Sequence, residues 1–385
     1  MKRICVITGT RAEYGLLRPL MNKLYPEEGI QLQVIATGTH LSPEFGMTYT
    51  DIEKDGFVID ERIEIVLSSD TPIGISKSMG LAMISFCEAY ERLKPDMIVV
   101  LGDRYEIFAA VSAASVARIP VAHLHGGETT QGAFDEAFRH SITKMSYLHF
   151  TSTEVYRNRV IQLGEAPERV FHVGALGIEN IKSIPLLSRA QLEEQLGFHF
   201  DRTTVMVTYH PVTLEQSTSE SQFTSLLTAL DEFKHVRIIF TKANSDTEGR
   251  TINAMIDQYA NNNPDKAIAF TSMGQTRYLS ALQFVDAVIG NSSSGIIEAP
   301  SFHVPTINIG DRQKGRLQAE SIVNCGADKE EIANSLNQVL SVEFREKIKD
   351  IVNPYERDHT SDRIIVEIKN ALAKGIDLKK TFYDL

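Results

Sequence analysis

"DMIVVLGDRYEIFAAVSAASVARIPVAHLHG", residues 96–126, decides the fold. An unbroken apolar run ends in Gly-Asp-Arg, an alanine-rich helical stretch follows, and a second apolar run ends in His-x-His-Gly. Strand, helix and strand within about thirty residues make one βαβ unit, which joins parallel neighbours in a sheet. Near-continuous Val, Ile and Leu is expected of strands covered by helices on both faces. The pattern repeats outward. Strands are predicted at 3–9, 32–38, 96–102, 120–126, 147–153 and 170–176, then at 204–210, 236–242, 267–273, 286–292 and 305–311.

At 385 residues the chain exceeds one typical core, so two domains are expected. "MIVVLGDRYEIFAA" (97–110) and "DAVIGNSSSGIIEA" (286–299) both read as apolar strand, small polar turn and helix, which suggests a loose duplication. Between the two series, "PLLSRAQLEEQLGFHFDR" (185–202) reads as helical with polar flanks, and the boundary is set near 177–185. The expected class is therefore α/β, with two Rossmann-like domains of parallel strands facing one another across a cleft. Their ligand crevices would lie at the carboxyl ends of the strands. The first domain is assigned 1–180 and the second 181–361. A C-terminal helix and tail, 362–385, would dock on the body through Ile365, Ile368 and Leu372.

Apolar content of 43% and charged content of 23% describe a globular protein. A net charge of −11 argues against nucleic acid or an anionic membrane as partner. Any anionic ligand must then be gathered by a local cluster of donors. No apolar signal core or membrane-length run is present, and the cytoplasm is the expected compartment. Cys5, Cys87 and Cys325 are few, odd in number and far apart, which suggests neither a disulfide framework nor a cysteine zinc site.

Five stretches carry candidate chemistry. "TGTRAEYG" (8–15) turns from strand to helix through glycines but is not G-x-G-x-x-G, so a dinucleotide cofactor is not expected. Its Arg11 reads either as an anion ligand at a helix start or as a solvated turn residue. "GNSSSGIIEAP" (290–300) offers Gly290 for close approach, the hydroxyls of Ser292, Ser293 and Ser294, and a helix start with free N–H groups. This is a phosphate cradle without lysine, or else a helix cap with surplus serines. Glu298 would lie along that helix, within reach of a ribose diol. "NIGDRQKGR" (308–316) adds Arg312, Lys314 and Arg316, and "YHPV" (209–212) sets His210 at a strand end.

The fifth stretch is the densest. "LGDRYE" (101–106) puts Asp103 and Arg104 beside the strand end that carries His123 and His125, and Glu128 follows two glycines. In "FDEAFRHSITKM" (134–145), Asp135–Arg139 and Glu136–His140 are i,i+4 pairs, and acids suit the first turn of a helix. A charged helix start explains that segment but not Glu128, Asp103 or His125. A metal site would rest on His123-x-His125 sharing a strand face, with no further ligand spacing in support. An acid–base site is the third reading.

Taken in order, "GTRAEYG", "LGDRYE", "HLHGGE", "DEAFRHSITK", "YHPVT", "ANSD", "GNSSSG" with Glu298, and "GDRQKGR" resemble the UDP-N-acetylglucosamine 2-epimerases, in particular the hydrolysing bacterial branch of sialic and legionaminic acid synthesis. The resemblance spans essentially the whole chain. It implies a GT-B-type fold with UDP held mainly by the second domain, and a homodimer or homotetramer. It carries UDP contacts onto Arg11, Arg104, His210, Asn244, Ser292, Ser293, Glu298 and Arg312, with Gly290 and Asn291 heading the serine motif. Catalytic roles fall on Asp103, Glu128 and Asp135, and on His125 and His210. Animal and non-hydrolysing relatives have Glu where this chain has His125, so the imidazole or Glu128 would take over that role.

The implied reaction converts UDP-N-acetylglucosamine and water into N-acetylmannosamine and UDP through a 2-acetamidoglucal. The alternative substrate is UDP-2,4-diacetamido-2,4,6-trideoxyglucose. Neither metal nor cofactor is required. More distant readings are a non-hydrolysing epimerase, a GT-B glycosyltransferase and a UDP-sugar sensor without turnover; the acids argue against the last, because anion binding has no use for them.

Overall fold

The computed structural model describes residues 1–67, 71–130, 134–211, 218–243 and 249–385. The chain divides into two compact units. The first comprises Met1–Glu128, Asp135–Asn180 and Arg357–Leu385, and the second Thr129–Phe134 and Ile181–Glu356.

Seven parallel strands build the first unit: β1 (Lys2–Thr8), β2 (Ile30–Thr37), β3 (Glu61–Ile63), β4 (Met97–Leu101), β5 (Val121–Leu124), β6 (Leu148–Thr151) and β7 (Val170–His172). Their order is β3-β2-β1-β4-β5-β6-β7. The order reverses between β1 and β4, and in doubly wound sheets a ligand crevice opens at that point beyond the carboxyl ends. Every residue of β4 is buried, with apolar clusters on both faces of the sheet, as its unbroken hydrophobic run requires.

The second unit repeats the plan with six parallel strands: β8 (Thr204–Thr208), β9 (Arg237–Thr241), β10 (Ala267–Phe270), β11 (Ala287–Gly290), β12 (Thr306–Ile309) and β13 (Ile322–Cys325). Their order, β10-β9-β8-β11-β12-β13, reverses between β8 and β11. The α/β class with two parallel sheets is the one the sequence predicts.

The strands stop earlier than predicted. Gly102 (φ 79°), His125 (φ 62°) and Gly290 (φ 134°) turn the backbone out of the extended region and end or close the pairing. Two edge strands, β3 and β13, were not anticipated: each is short and carries charged or polar residues, as edges commonly do. The helix expected across 185–202 is confined to Arg189–Leu196. Ser188 and Gln191 form a capping box at its start, and Gly197 (φ 62°) stops it. The segment after it then buries Phe198 and Phe200 in the core of the second unit.

After the second unit the chain returns to the first as the helix Thr360–Lys374, whose Ile364, Ile365 and Ile368 are buried in the first unit's core with Leu372 packed against them. The tail beyond it is also tied down. Lys380 Nζ donates to the carbonyls of Lys144 (2.8 Å) and Ser146 (2.7 Å) and lies 2.5 Å from Glu165 Oε2. Phe382 covers Gly164, where a Cβ would come within 2.4 Å of the ring, and the Tyr383 N–H donates to the Gly164 carbonyl (3.0 Å). Glu165 also accepts from Lys144 Nζ (2.6 Å) and meets His149 Nε2 (2.9 Å). Among the described residues no helix is long and apolar enough to cross a membrane.

Burial alone would raise the Glu165 carboxyl, but His149 and the two lysines outweigh it and hold the group down at about 2. A folded-state value below the unfolded one contributes stability above the unfolded value and loses it as pH falls through the folded one. Chemical denaturation should therefore show part of the stability vanishing between about pH 4.5 and 2. Glu165→Gln should flatten that slope and cost about 3 kcal/mol at pH 7.

Candidate active site

The turn after β1 is built from the side chains beneath it. Thr10 caps the helix Arg11–Leu24, accepting from the Glu13 N–H, and the Gly9 N–H donates back to Glu13 Oε2 at 2.5 Å. Glu13 is buried, and burial pushes its carboxyl up to about 8 against the opposing Gly9 amide. Glycine is required at position 9, since a Cβ would meet Glu106 Cγ at 2.6 Å. That buried Glu106 in turn accepts from Arg104 Nε (2.8 Å), which fixes the arginine over the turn. Arg11 pairs with Asp51 (3.2 Å).

The ends of β4 and β5 are joined by one buried guanidinium. Arg139 donates from Nη1 to the His125 carbonyl (2.9 Å) and from Nη2 to Asp103. The sequence reading gave Arg139 to an i,i+4 pair with Asp135; its contact with Asp103 spans from the helix Asp135–Met145 to the end of β4. The other expected pair, Glu136 with His140, is present at 3.2 Å.

Three residues of the "HGGE" turn, His125, Gly127 and Glu128, are held by neighbours. The His125 N–H donates to the Phe150 carbonyl (2.8 Å), and Arg159 Nη1 donates to the Gly127 carbonyl (2.6 Å). At Gly127 (φ 76°) a Cβ would lie 2.5 Å from the Tyr156 carbonyl oxygen. The turn delivers Glu128, 2% exposed, between two donors: Ser152 Oγ at 2.7 Å and His125 Nδ1 at 3.1 Å, both on Oε1. His125 Nε2 faces the Leu176 N–H at 3.4 Å. A nitrogen facing an N–H must accept, so the proton is assigned to Nδ1 and is donated to Glu128.

His123 does something else. Its ring is fully buried and burial lowers it to about 3, so it stays neutral, bonded to the Gly102 carbonyl (2.8 Å) and the Thr143 hydroxyl (3.1 Å). The shared-face argument for a His123–His125 metal pair fails on geometry, because β5 ends at Leu124 and His125 turns left-handed. Among the described residues no group of three His, Cys, Asp or Glu could hold a metal ion.

In the second unit the candidate residues gather at the β8/β11 reversal. Asn291 clamps the backbone of His210 in both directions: its Oδ1 accepts from the His210 N–H and its Nδ2 donates to the His210 carbonyl, each at 2.7 Å. Its own carbonyl accepts from Arg312 Nη1 (3.1 Å) and Gln313 Nε2 (2.8 Å). Ser292 caps the helix Ser293–Ile297, and Tyr278 OH donates to Ser294 Oγ (2.7 Å). That helix is shorter than expected: Glu298 is its C-cap, not a residue along it, and a 3-10 turn Ala299–Phe302 follows. Arg316 Nη2 reaches Thr130 Oγ1 (3.4 Å). Asn244 and Val212 lie outside the described residues.

A family model described as UDP-N-acetylglucosamine 2-epimerase matches residues 22–369. The chain belongs to the UDP-N-acetylglucosamine 2-epimerase family. Within it, the chain is 43% identical over 384 residues to the GDP/UDP-N,N'-diacetylbacillosamine 2-epimerase (hydrolyzing) of Campylobacter jejuni, covering 100% of this chain and 99% of that one. It is 39% identical to the polysialic acid biosynthesis protein P7 of Escherichia coli, over 100% and 98% of the two chains. It is 36% identical to the UDP-N,N'-diacetylbacillosamine 2-epimerase (hydrolyzing) of Legionella pneumophila, over 94% of each. The fold matches a Staphylococcus aureus MnaA–UDP co-structure with a TM-score of 0.82 at 19% identity, over 100% of both chains. These relatives identify this 2-epimerase family member as an enzyme of the hydrolysing UDP-sugar type.

Sequence reasoning missed Ser152, the span of Arg139, and the buried pair Glu13 and Glu106. Only the placement of Ser152 directly after β6 could have pointed to it. The glycine at the β8/β11 reversal supplies a test. A Cβ at Gly290 would sit 1.9 Å from the Thr208 carbonyl oxygen, so Gly290→Ala must force β8 and β11 apart. Denaturant unfolding should show a loss of about 2 kcal/mol or more.

Proposed function

We propose that this 2-epimerase hydrolyses UDP-N,N'-diacetylbacillosamine, the UDP-2,4-diacetamido-2,4,6-trideoxyglucose of the sequence reading, releasing UDP and the 2-epimeric sugar. The observation that carries the chemistry is Glu128, a carboxylate almost out of water that accepts two hydrogen bonds on one oxygen. The substrate rests on the 43% and 36% identical relatives, both named for this sugar.

The proton on C2 of the sugar is scarcely acidic while C1 remains bonded to UDP. As the C1–O bond breaks, positive charge develops on the ring and C2–H becomes acidic enough for a carboxylate. In this reading Glu128 serves as base at C2, giving a glucal and UDP. Asp103, oriented by Arg139, and Asp135 stabilise the oxocarbenium-like state, as carboxylates do in glycoside hydrolysis. Water then adds at C1, and a proton returns to C2 from the opposite face, which inverts that centre. His125 acts as a positioning residue in place of the proton carrier first expected, since both ring nitrogens are already engaged. Donors of the second unit, His210, Ser292, Ser293 and Arg312, with Gly290, Asn291 and Glu298, bind UDP and stabilise it as it leaves.

The second reading is UDP-N-acetylglucosamine, favoured by the 39% identical polysialic acid protein and by the family model. Side-by-side kcat/KM on the two nucleotide sugars decides between them; we expect a preference of about tenfold or more for the diacetamido sugar. In D₂O, NMR should show deuterium at C2 of a released manno-configured sugar, and unlabelled product would overturn the elimination step. Asp103→Asn should lower kcat by about 100-fold or more while UDP inhibition holds within about threefold. Ser292→Ala should instead weaken UDP binding by about fivefold with a smaller change in kcat. The opposite division would overturn the assignment.

A further inference from the structure

A cavity of about 650 Å³ opens beside β7, the outer strand of the first sheet, and is also lined by the helices Glu154–Gln162 and Thr360–Lys374. All of its lining belongs to the first unit, and none of Asp103, Glu128 or Asp135 is part of it. The volume is that of a small-molecule site. A peptide strand does not fit this edge. The carbonyls it would bond are taken, since Arg157 Nε donates to Val170 (2.9 Å) and Arg357 Nη1 to His172 (2.8 Å).

Arg157, Arg357 and Arg363 share this lining with Glu154, Asp362 and Glu367. Opposite charges in one cavity should pair off, yet they do so only in part. Glu154 meets Arg157 (3.1 Å) and His172 Nδ1 (3.4 Å), whereas Asp362 pairs with Lys23 (2.8 Å) and His359 (3.3 Å). Arg357 and Arg363 form no ion pair among the described residues. Each donates one N–H to a backbone carbonyl, that of His172 and that of Asp358. A guanidinium is a planar fork of donors, so both keep the geometry that grips a carboxylate or a phosphate.

His172, which also lines the cavity, gives a second sign. Its Nε2 is buried with no partner among the described residues. Polar atoms buried in native proteins are almost always bonded, so this nitrogen points to a ligand group beside it. The same ring bonds to the backbone of Ser152, the donor to Glu128, which sets the cavity one residue away from the candidate active site. Val170, Pro167 and Val366 complete the lining, and Val366 is 52% exposed. Open valine beside open arginines fits a ligand with an apolar body and an anionic head.

We infer that this cavity is a second ligand site of the protein, taking a small organic anion. Arg357 and Arg363 hold its carboxylate or phosphate head, and Val170, Pro167 and Val366 cover its apolar body. This goes beyond the catalytic reading and does not depend on it.

Isothermal titration of the full chain with phenyl phosphate, benzoate and the neutral benzyl alcohol, each in the presence of saturating UDP, is the test. Both anions should bind at one equivalent per chain with a dissociation constant of about 1 mM or below, and the tighter one identifies the head group. Benzyl alcohol should bind at least about tenfold more weakly. Arg363→Gln should weaken both anions by about tenfold, and Glu367→Gln, which removes a repelling carboxylate, should tighten them by about twofold. No binding of either anion, displacement of the probes by UDP, equal binding of the alcohol, or affinity indifferent to Arg363→Gln would each overturn the inference. Arg363 is exposed and Glu367 half-buried, so circular dichroism should show both variants folded as the wild type.

Discussion

The guanidinium of Arg139 is the constraint on which the first unit's candidate site depends. It is 3% exposed, and a charge so buried must be met by acceptors. Those acceptors are Asp103, just past the end of β4, and the carbonyl of His125, just past the end of β5. One planar group thus fixes the spacing of two neighbouring strand ends. Its fork geometry makes lysine a poor substitute, because a single ammonium could not hold both acceptors in one plane. The left-handed turn at His125 and the path to Glu128 follow from that anchor.

The second unit solves the same problem without charge. There Asn291 bonds both backbone groups of His210 and so ties the end of β11 to the end of β8. Both braces stand at the carboxyl ends of adjacent strands, and that of the second unit falls at its sheet reversal. A parallel sheet leaves those ends as loops, and loops hold chemistry only if something fixes them. The difference in brace suits the proposed difference in role. Carboxylates need a cation to orient them, whereas a loop that offers donors to a diphosphate needs only its backbone kept in place.

Much of this was legible in the chain. Asp103, Glu128 and Ser292 follow apolar runs closed by small residues, and such positions fall at the functional ends of parallel strands whatever the tertiary detail. Fold class followed from the same runs. The contact of Arg139 with Asp103 was not legible because it spans 36 positions of sequence, whereas helix periodicity points only to partners nearby. Ser152 is an unremarked serine until β6 is known to lie beside β5. His123 and His125 do not share a strand face, because a two-residue period holds only while the strand lasts. The edges β3 and β13 escaped notice since short polar strands owe their existence to a neighbour and not to their own residues.

The chain leaves the first unit at Asn180 and re-enters it at Arg357. A polypeptide emerging amino end first would expose β1–β7 while the whole second unit was still being made. Ile364, Ile365 and Ile368, which complete the first core, arrive only afterwards, followed by the Lys380 and Phe382 contacts. The first unit to be translated is therefore the last to close. The full stability of the first unit is decided only after its strands have been made.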